Sequence, residues 1–104
     1  MRWLLFGATC VLFTGCSTPS TVDPETGHVS GELVFQRYCV SCHGMGGQLK
    51  AGGKIQLQHT KMTDSLLRQT ILYGKNNAMP AYKKMLSDEE TTAVINYINT
   101  VIKK

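Results

Sequence analysis

Cys39-Val40-Ser41-Cys42-His43 constrains this chain more than any other stretch. Two cysteines separated by two residues, with a histidine directly after the second, form the C-x-x-C-H pattern of covalent haem attachment. The spacing follows from the chemistry. Each thiol adds across one vinyl group of the porphyrin, and the adjoining imidazole then lies under the iron as its proximal ligand. A chain built this way folds around one large, flat, apolar group.

Two other chemistries use the same residue types. A C-x-x-C pair can be a thioredoxin-like redox couple, which requires a βαβ setting. The residues before Cys39 read as helical, and no alternating strand precedes them. Cys39 and Cys42 could also join histidines in a zinc site. The other histidines are His28, in a polar stretch, and His59, in a loop, and neither completes a familiar zinc spacing.

With 104 residues the chain holds one small domain, and its first segment reduces that further. Arg2 precedes an apolar run from Trp3 to Phe13, followed by Thr14-Gly15-Cys16. A positive start and an apolar stretch of this length read as a secretory signal, too short to span a bilayer comfortably. Its end resembles a bacterial lipoprotein cleavage box, with Phe13 where leucine is usual. That resemblance implies a signal over residues 1–15 and lipidation of Cys16. An ordinary signal peptide cut nearby is the alternative. Cys10 leaves with the signal, so the four cysteines divide into one discarded, one lipidated and two for haem, and no disulfide framework remains.

Loss of Arg2 with the signal leaves ten basic and seven acidic side chains, a net charge of +3. That excess is too small to argue for nucleic acid, and no arginine cluster or aromatic-interleaved basic patch is present. Lys50, Lys54, Lys75, Lys83 and Lys84 fall in regions expected to surround a haem pocket. They read either as ordinary solvated surface or as a docking ring for an acidic redox partner.

Residues 16–29 comprise the lipidated Cys16 and a polar stretch with Pro19 and Pro24 and no apolar periodicity, read as a flexible tether. A dozen such residues reach roughly 20 Å. The folded domain is expected over 30–104. Ser30 can cap a first helix whose apolar face holds Leu33, Val34, Phe35 and Tyr38. Gly44, Gly46, Gly47, Gly52 and Gly53 mark a loop in which backbone could pass close to a porphyrin. The loop lacks the G-x-x-x-x-G-K-[ST] pattern of a phosphate cradle. Thr63 caps a second helix carrying Leu66, Leu67, Ile71 and Leu72, with Gly74 as its stop. Ser87-Asp88-Glu89-Glu90 is a capping box opening a last helix with Val94, Ile95, Tyr97, Ile98, Val101 and Ile102 on its apolar stripe. The expected class is all-α, with about three helices and long loops.

His43 takes one axial position, and the other decides what the iron can do. Met45 is two residues from His43 and cannot reach the other face, and His28 lies in the tether. Met79 is the best candidate, in a loop whose backbone Pro80 stiffens. Met62 and His59 remain as alternatives, and Met85 is expected to pack under the last helix.

From Gly31 to the C-terminus the chain resembles a class I cytochrome c. The residues that carry the resemblance are Gly31 and Phe35 in a first helix running into C-x-x-C-H, the loop Met79-Pro80-Ala81-Tyr82, and Tyr97 in a last helix that crosses the first. The resemblance implies one covalent haem c, thioether anchors at Cys39 and Cys42, and axial ligands His43 and Met79. It also implies attachment outside the cytoplasmic membrane, which agrees with the export signal. A proline whose carbonyl orients the proximal imidazole is common in the family, and proline is absent between His43 and Met79. Another carbonyl is therefore expected to do this.

His/Met ligation favours ferrous iron and fills both axial positions, which points to one-electron transfer rather than enzyme catalysis. No catalytic cluster competes for that reading. The function expected is a membrane-tethered monohaem carrier shuttling electrons between respiratory partners, with no small-molecule substrate and no nucleic acid. It would be exported and lipid-anchored to a bacterial membrane, with its domain facing the periplasm or the cell exterior. The alternatives are a fixed cytochrome c subunit of a larger oxidase or reductase, and a haem peroxidase or gas sensor.

Overall fold

A computed structural model of the chain describes residues 20–49, 56–75 and 78–103. The expected signal at 1–15, Cys16, Lys50, Lys54, Gly52 and Gly53 lie outside them. Among the described residues the regular structure is helical, with two isolated β-bridges and no strands.

Helix α1, Gly31–Tyr38, begins where Ser30 accepts the Leu33 N–H, and it buries Val34 and Phe35 completely. After Cys39 a four-residue helix α2, Val40–His43, carries the second cysteine and the histidine. Thr63 caps α3, Asp64–Tyr73, by accepting the Leu66 N–H. Ser87 and Glu90 form the reciprocal capping box of α4, Asp88–Tyr97, which continues into a π-helical turn, Ile98–Ile102. All three caps coincide with those read from the sequence, each satisfying backbone donors that a helix start leaves free.

The centre of the fold is the crossing of α1 on α4. Phe35 meets Tyr97 with ring centroids 5.5 Å apart. Gly31 lies against the α4 backbone. A Cβ there would collide with the Ala93 carbonyl oxygen and come within 2.8 Å of the Tyr97 Cβ. Among the described residues nine apolar side chains form the buried core: Val34, Phe35, Leu67, Ile71, Leu86, Val94, Ile95, Ile98 and Ile102. The one buried polar residue among the described residues, Thr91, donates its hydroxyl to the Ser87 carbonyl at 2.9 Å.

Helix α3 is tied to α4 at its edges. Arg68 pairs with Asp88 at 3.3 Å and donates to the Thr92 hydroxyl at 2.7 Å. Asn99 donates to Asp64, and the Lys103 ammonium donates to the Met62 carbonyl at 3.0 Å. Asp88 is almost wholly exposed, so the Arg68 pair adds little to stability.

Three features differ from the sequence expectation. Residues 21–30 form a closed turn where a flexible tether was expected. The Val22–Val29 bridge, the Ser30 N–H on the Thr21 carbonyl at 2.9 Å and the Glu25 N–H on the Asp23 carboxylate at 2.8 Å hold it. Thr21 then donates its hydroxyl to Glu90 at the start of α4. Met85, expected under the last helix, is 54% exposed. Gly47 abuts the Ile102 side chain, and Gly44 and Gly46 lie beside Gln48, so the described glycines of that loop do not line the cavity.

Candidate haem-binding site

The haem motif, α3 and the loop after it enclose a cavity of about 650 Å³, within the range of cofactor pockets. Cys39, Cys42 and His43 line it from one stretch of chain, Met79 and Pro80 from another. Leu67, Ile71 and Ile98 give it an apolar interior continuous with the core. All four residues singled out for cofactor binding thus come together.

Each is placed by its local structure. Helix α1 runs straight into the motif, with the Cys39 N–H bonded to the Phe35 carbonyl and the His43 N–H to the Cys39 carbonyl, both at 2.9 Å. Met79 sits on a tight turn closed by two bonds with Lys75, N–H to carbonyl in each direction at 3.1 Å. Gly74 makes the turn possible. Its φ is +78°, and a Cβ there would stand 2.5 Å from the Met79 carbonyl oxygen. Two further bonds fasten the loop to α3, from the Tyr82 N–H to the Ile71 carbonyl and from the Lys83 N–H to the Leu72 carbonyl. The Tyr82 hydroxyl reaches across to the Tyr38 carbonyl at 3.2 Å, and the two tyrosine rings meet edge-on at 5.9 Å.

The electrostatics suit a bound metal-porphyrin. Burial and the neighbouring Cys42 push the Cys39 thiol up to about 12, so it is a neutral thiol at physiological pH. Burial lowers the His43 pKa, keeping the imidazole neutral with a lone pair to donate. The His43 Nδ1 is buried and has no hydrogen-bond partner among the described residues. The carbonyl expected to orient this imidazole is therefore not among them. A neutral imidazole and two thiols on an apolar cavity fit a covalently held haem. A zinc cluster does not fit: among the described residues no three His, Cys, Asp or Glu side chains gather as a metal site. Burial first, then Cys39 and Cys42, raise the Tyr82 pKa, so its hydroxyl stays a donor.

The other candidate ligands separate clearly. Met45 is 61% exposed, and His28 and His59 are exposed and do not line the cavity. Met62 does line it, alongside Met79. Tyr38 and Leu66, read from the sequence as apolar helix-face residues, also line the cavity, as does Lys61, which sequence reasoning passed over. The only signal for Lys61 was its proximity in sequence to the apolar second helix. Lys75 lines the cavity too, and Lys83 lies 5.2 Å over the Tyr73 ring.

Residues 28–98 match the family described as cytochrome c oxidase, cbb3-type, subunit III. The chain belongs to this c-type cytochrome family. It is 34% identical over 96 residues to a cytochrome c6-like protein of Nostoc, covering 85% of this chain and 86% of that one. Cytochrome c6 of Euglena gracilis is 34% identical over 77 residues, covering 67% of this chain and 87% of its own. The crystal structure of cytochrome c6 from the diatom Phaeodactylum tricornutum superposes with a TM-score of 0.60 at 31% identity, over 69% of this chain and 90% of that one. The fold is also that of the KustC0563 c-type cytochrome, with a TM-score of 0.65 at 22% identity over 73% of this chain and all of the other. The chain is accordingly a small class I cytochrome c domain that carries one covalent haem c and is an electron carrier, not an enzyme. Among the described residues no helix is long and apolar enough to cross a membrane.

Proposed function

We propose that this cytochrome is an exported, membrane-tethered one-electron carrier with His/Met axial ligation. Cys39 and Cys42 form the thioethers, His43 and Met79 bind the iron, and Cys16 carries the lipid anchor. The observation that supports this best is the convergence of those four haem-site residues on one apolar cavity of about 650 Å³.

Haem supplies the one-electron couple, and the chain sets its surroundings. Leu67, Ile71 and Ile98 keep water from the interior of the cavity. Thioether ligation and low polarity both favour the reduced state. Met79 is preferred over Met62 because Pro80 and the paired Lys75 bonds fix its backbone at the cavity. With His43 and Met79 both holding the iron, the bound group would offer no free position to a small-molecule substrate. Lys61 and Lys75, both exposed and both lining the cavity, give its mouth positive charge that would steer an acidic redox protein towards it.

Titration of the purified, haem-loaded protein with a chemical oxidant tests the carrier role. One electron per chain and no carbon monoxide binding by the reduced form are expected, and ready carbon monoxide binding would contradict it. Cys16→Ser should move the protein from membranes to the soluble periplasmic fraction; retention on membranes would exclude lipidation as the anchor. A fixed place in a larger oxidase is the second reading, favoured by the description of the matching family. It predicts stoichiometric co-purification after mild solubilisation.

A further inference from the structure

Among the described residues, the backbone of the loop that carries Met79 is fastened to one neighbour only. Five backbone bonds tie Ala78, Met79, Tyr82 and Lys83 to Lys75, Ile71 and Leu72, all on α3 or directly after it. Nothing in that set relates the loop to the stretch that carries Cys39, Cys42 and His43. The hydrogen bond that does so is made by a side chain. The Tyr82 hydroxyl, three residues beyond Met79, donates to the carbonyl of Tyr38, the residue directly before Cys39. Tyr38 is the last residue of α1, where a helix leaves carbonyls without partners of its own. The edge-on contact of the two rings holds the same juncture.

We infer that Tyr82 is a positioning residue, whose hydroxyl ties the Met79 loop to the haem-attachment stretch and so keeps the Met79 sulfur at the iron. The inference rests on Met79 being the sixth ligand. Its chemistry is a competition. When the loop swings away, an external ligand can take the sixth position, and every contact present only in the closed loop lowers the open fraction. A neutral hydrogen bond of ordinary net strength changes such an equilibrium roughly five- to tenfold. The hydroxyl is therefore expected to set how readily the iron admits outside ligands.

Tyr82→Phe removes the hydroxyl and retains the ring on Tyr38, so the packing is kept. The test is imidazole binding to the oxidised holoprotein, followed through loss of the far-red iron–methionine absorption, in the wild type and in Tyr82→Phe. Thermal unfolding of both proteins accompanies it, because a purely structural hydroxyl would change the unfolding midpoint and leave imidazole affinity alone. The expected result is roughly five- to tenfold tighter apparent imidazole binding by Tyr82→Phe. Equal affinity in the two proteins, with the far-red band present in both, would overturn the role of Tyr82 and leave Met79 as ligand. A far-red band that survives in Met79→Ala would overturn the ligand assignment and the inference together.

Discussion

The α1–α4 crossing and the Met79 cavity are built on different principles, although they share Ile98 and the floor of the core. At the crossing the chain completes its own packing. Gly31 admits the α4 backbone, Phe35 fills the space beside Tyr97, and Val34 and Val94 are entirely enclosed. At the cavity the same apolar core opens onto about 650 Å³ bounded by two cysteine thiols, an imidazole and a thioether. Self-complementary packing tolerates no added atom, whereas the cavity wall is shaped for a group that the chain does not encode. The fold thus separates the part that holds the domain together from the part that receives the cofactor.

The sharpest way to break this comparison is to withhold haem. The nine buried apolar residues among the described residues make a small core, and domains of this size commonly need a staple. Cys39→Ala/Cys42→Ala should lose most of its helical circular dichroism at room temperature. Native-like helix in that variant would mean that the crossing is self-sufficient.

Gly31→Ala probes the other region. The added methyl meets backbone at Ala93, which cannot move aside as a side chain would. Chemical denaturation of the holoprotein should show a loss of about 3 kcal/mol, at the upper end of overpacking costs. The visible spectrum should stay unchanged, since neither Gly31 nor Ala93 lines the cavity. An altered spectrum would show that the two regions are not separable.

Ser87→Ala removes the α4 cap and should cost about 1 kcal/mol in the same assay, again with no spectral change. The smallest effect concerns pH. Burial alone would raise the Glu90 pKa, but the bonds from the Ser87 backbone, the Thr21 hydroxyl and the Ser87 hydroxyl, with the charge of Arg37, bring it below its ordinary 4.5. A carboxylate held down in the folded state stabilises fully above the unfolded pKa and loses that contribution as pH falls through the folded value. Stability should decline on acidification below about pH 4.5, and the decline should be shallower in Thr21→Val, which deletes one of those bonds.

Much of this division is visible in the sequence because its determinants are local. Ser30, Thr63 and Ser87 announce helix starts within three residues of themselves, and the haem motif spans five consecutive positions. Met79 is legible because Pro80 follows it and Gly74 stops the preceding helix. The turn at 21–30 carries its own signs, Asp23-Pro24 and Gly27, yet without apolar periodicity it reads as tether. Its closure depends on Val22 finding Val29 and on Thr21 finding Glu90, 69 residues away. The bond from Tyr82 to Tyr38 spans 44 residues and has no local trace at all. Met85 belongs to the same class: its exposure is decided by where the loop lies on the surface, not by its own hydropathy.

The visible absorption spectrum of the exported, haem-loaded protein, oxidised and then reduced, tests the central claim most directly when Met79→Ala is measured beside the wild type. Sharp reduced c-type bands in both, with a weak far-red ferric iron–methionine band in the wild type that disappears in Met79→Ala, are predicted. A far-red band that persists without Met79, or protein that takes up no haem through Cys39 and Cys42, would contradict the account.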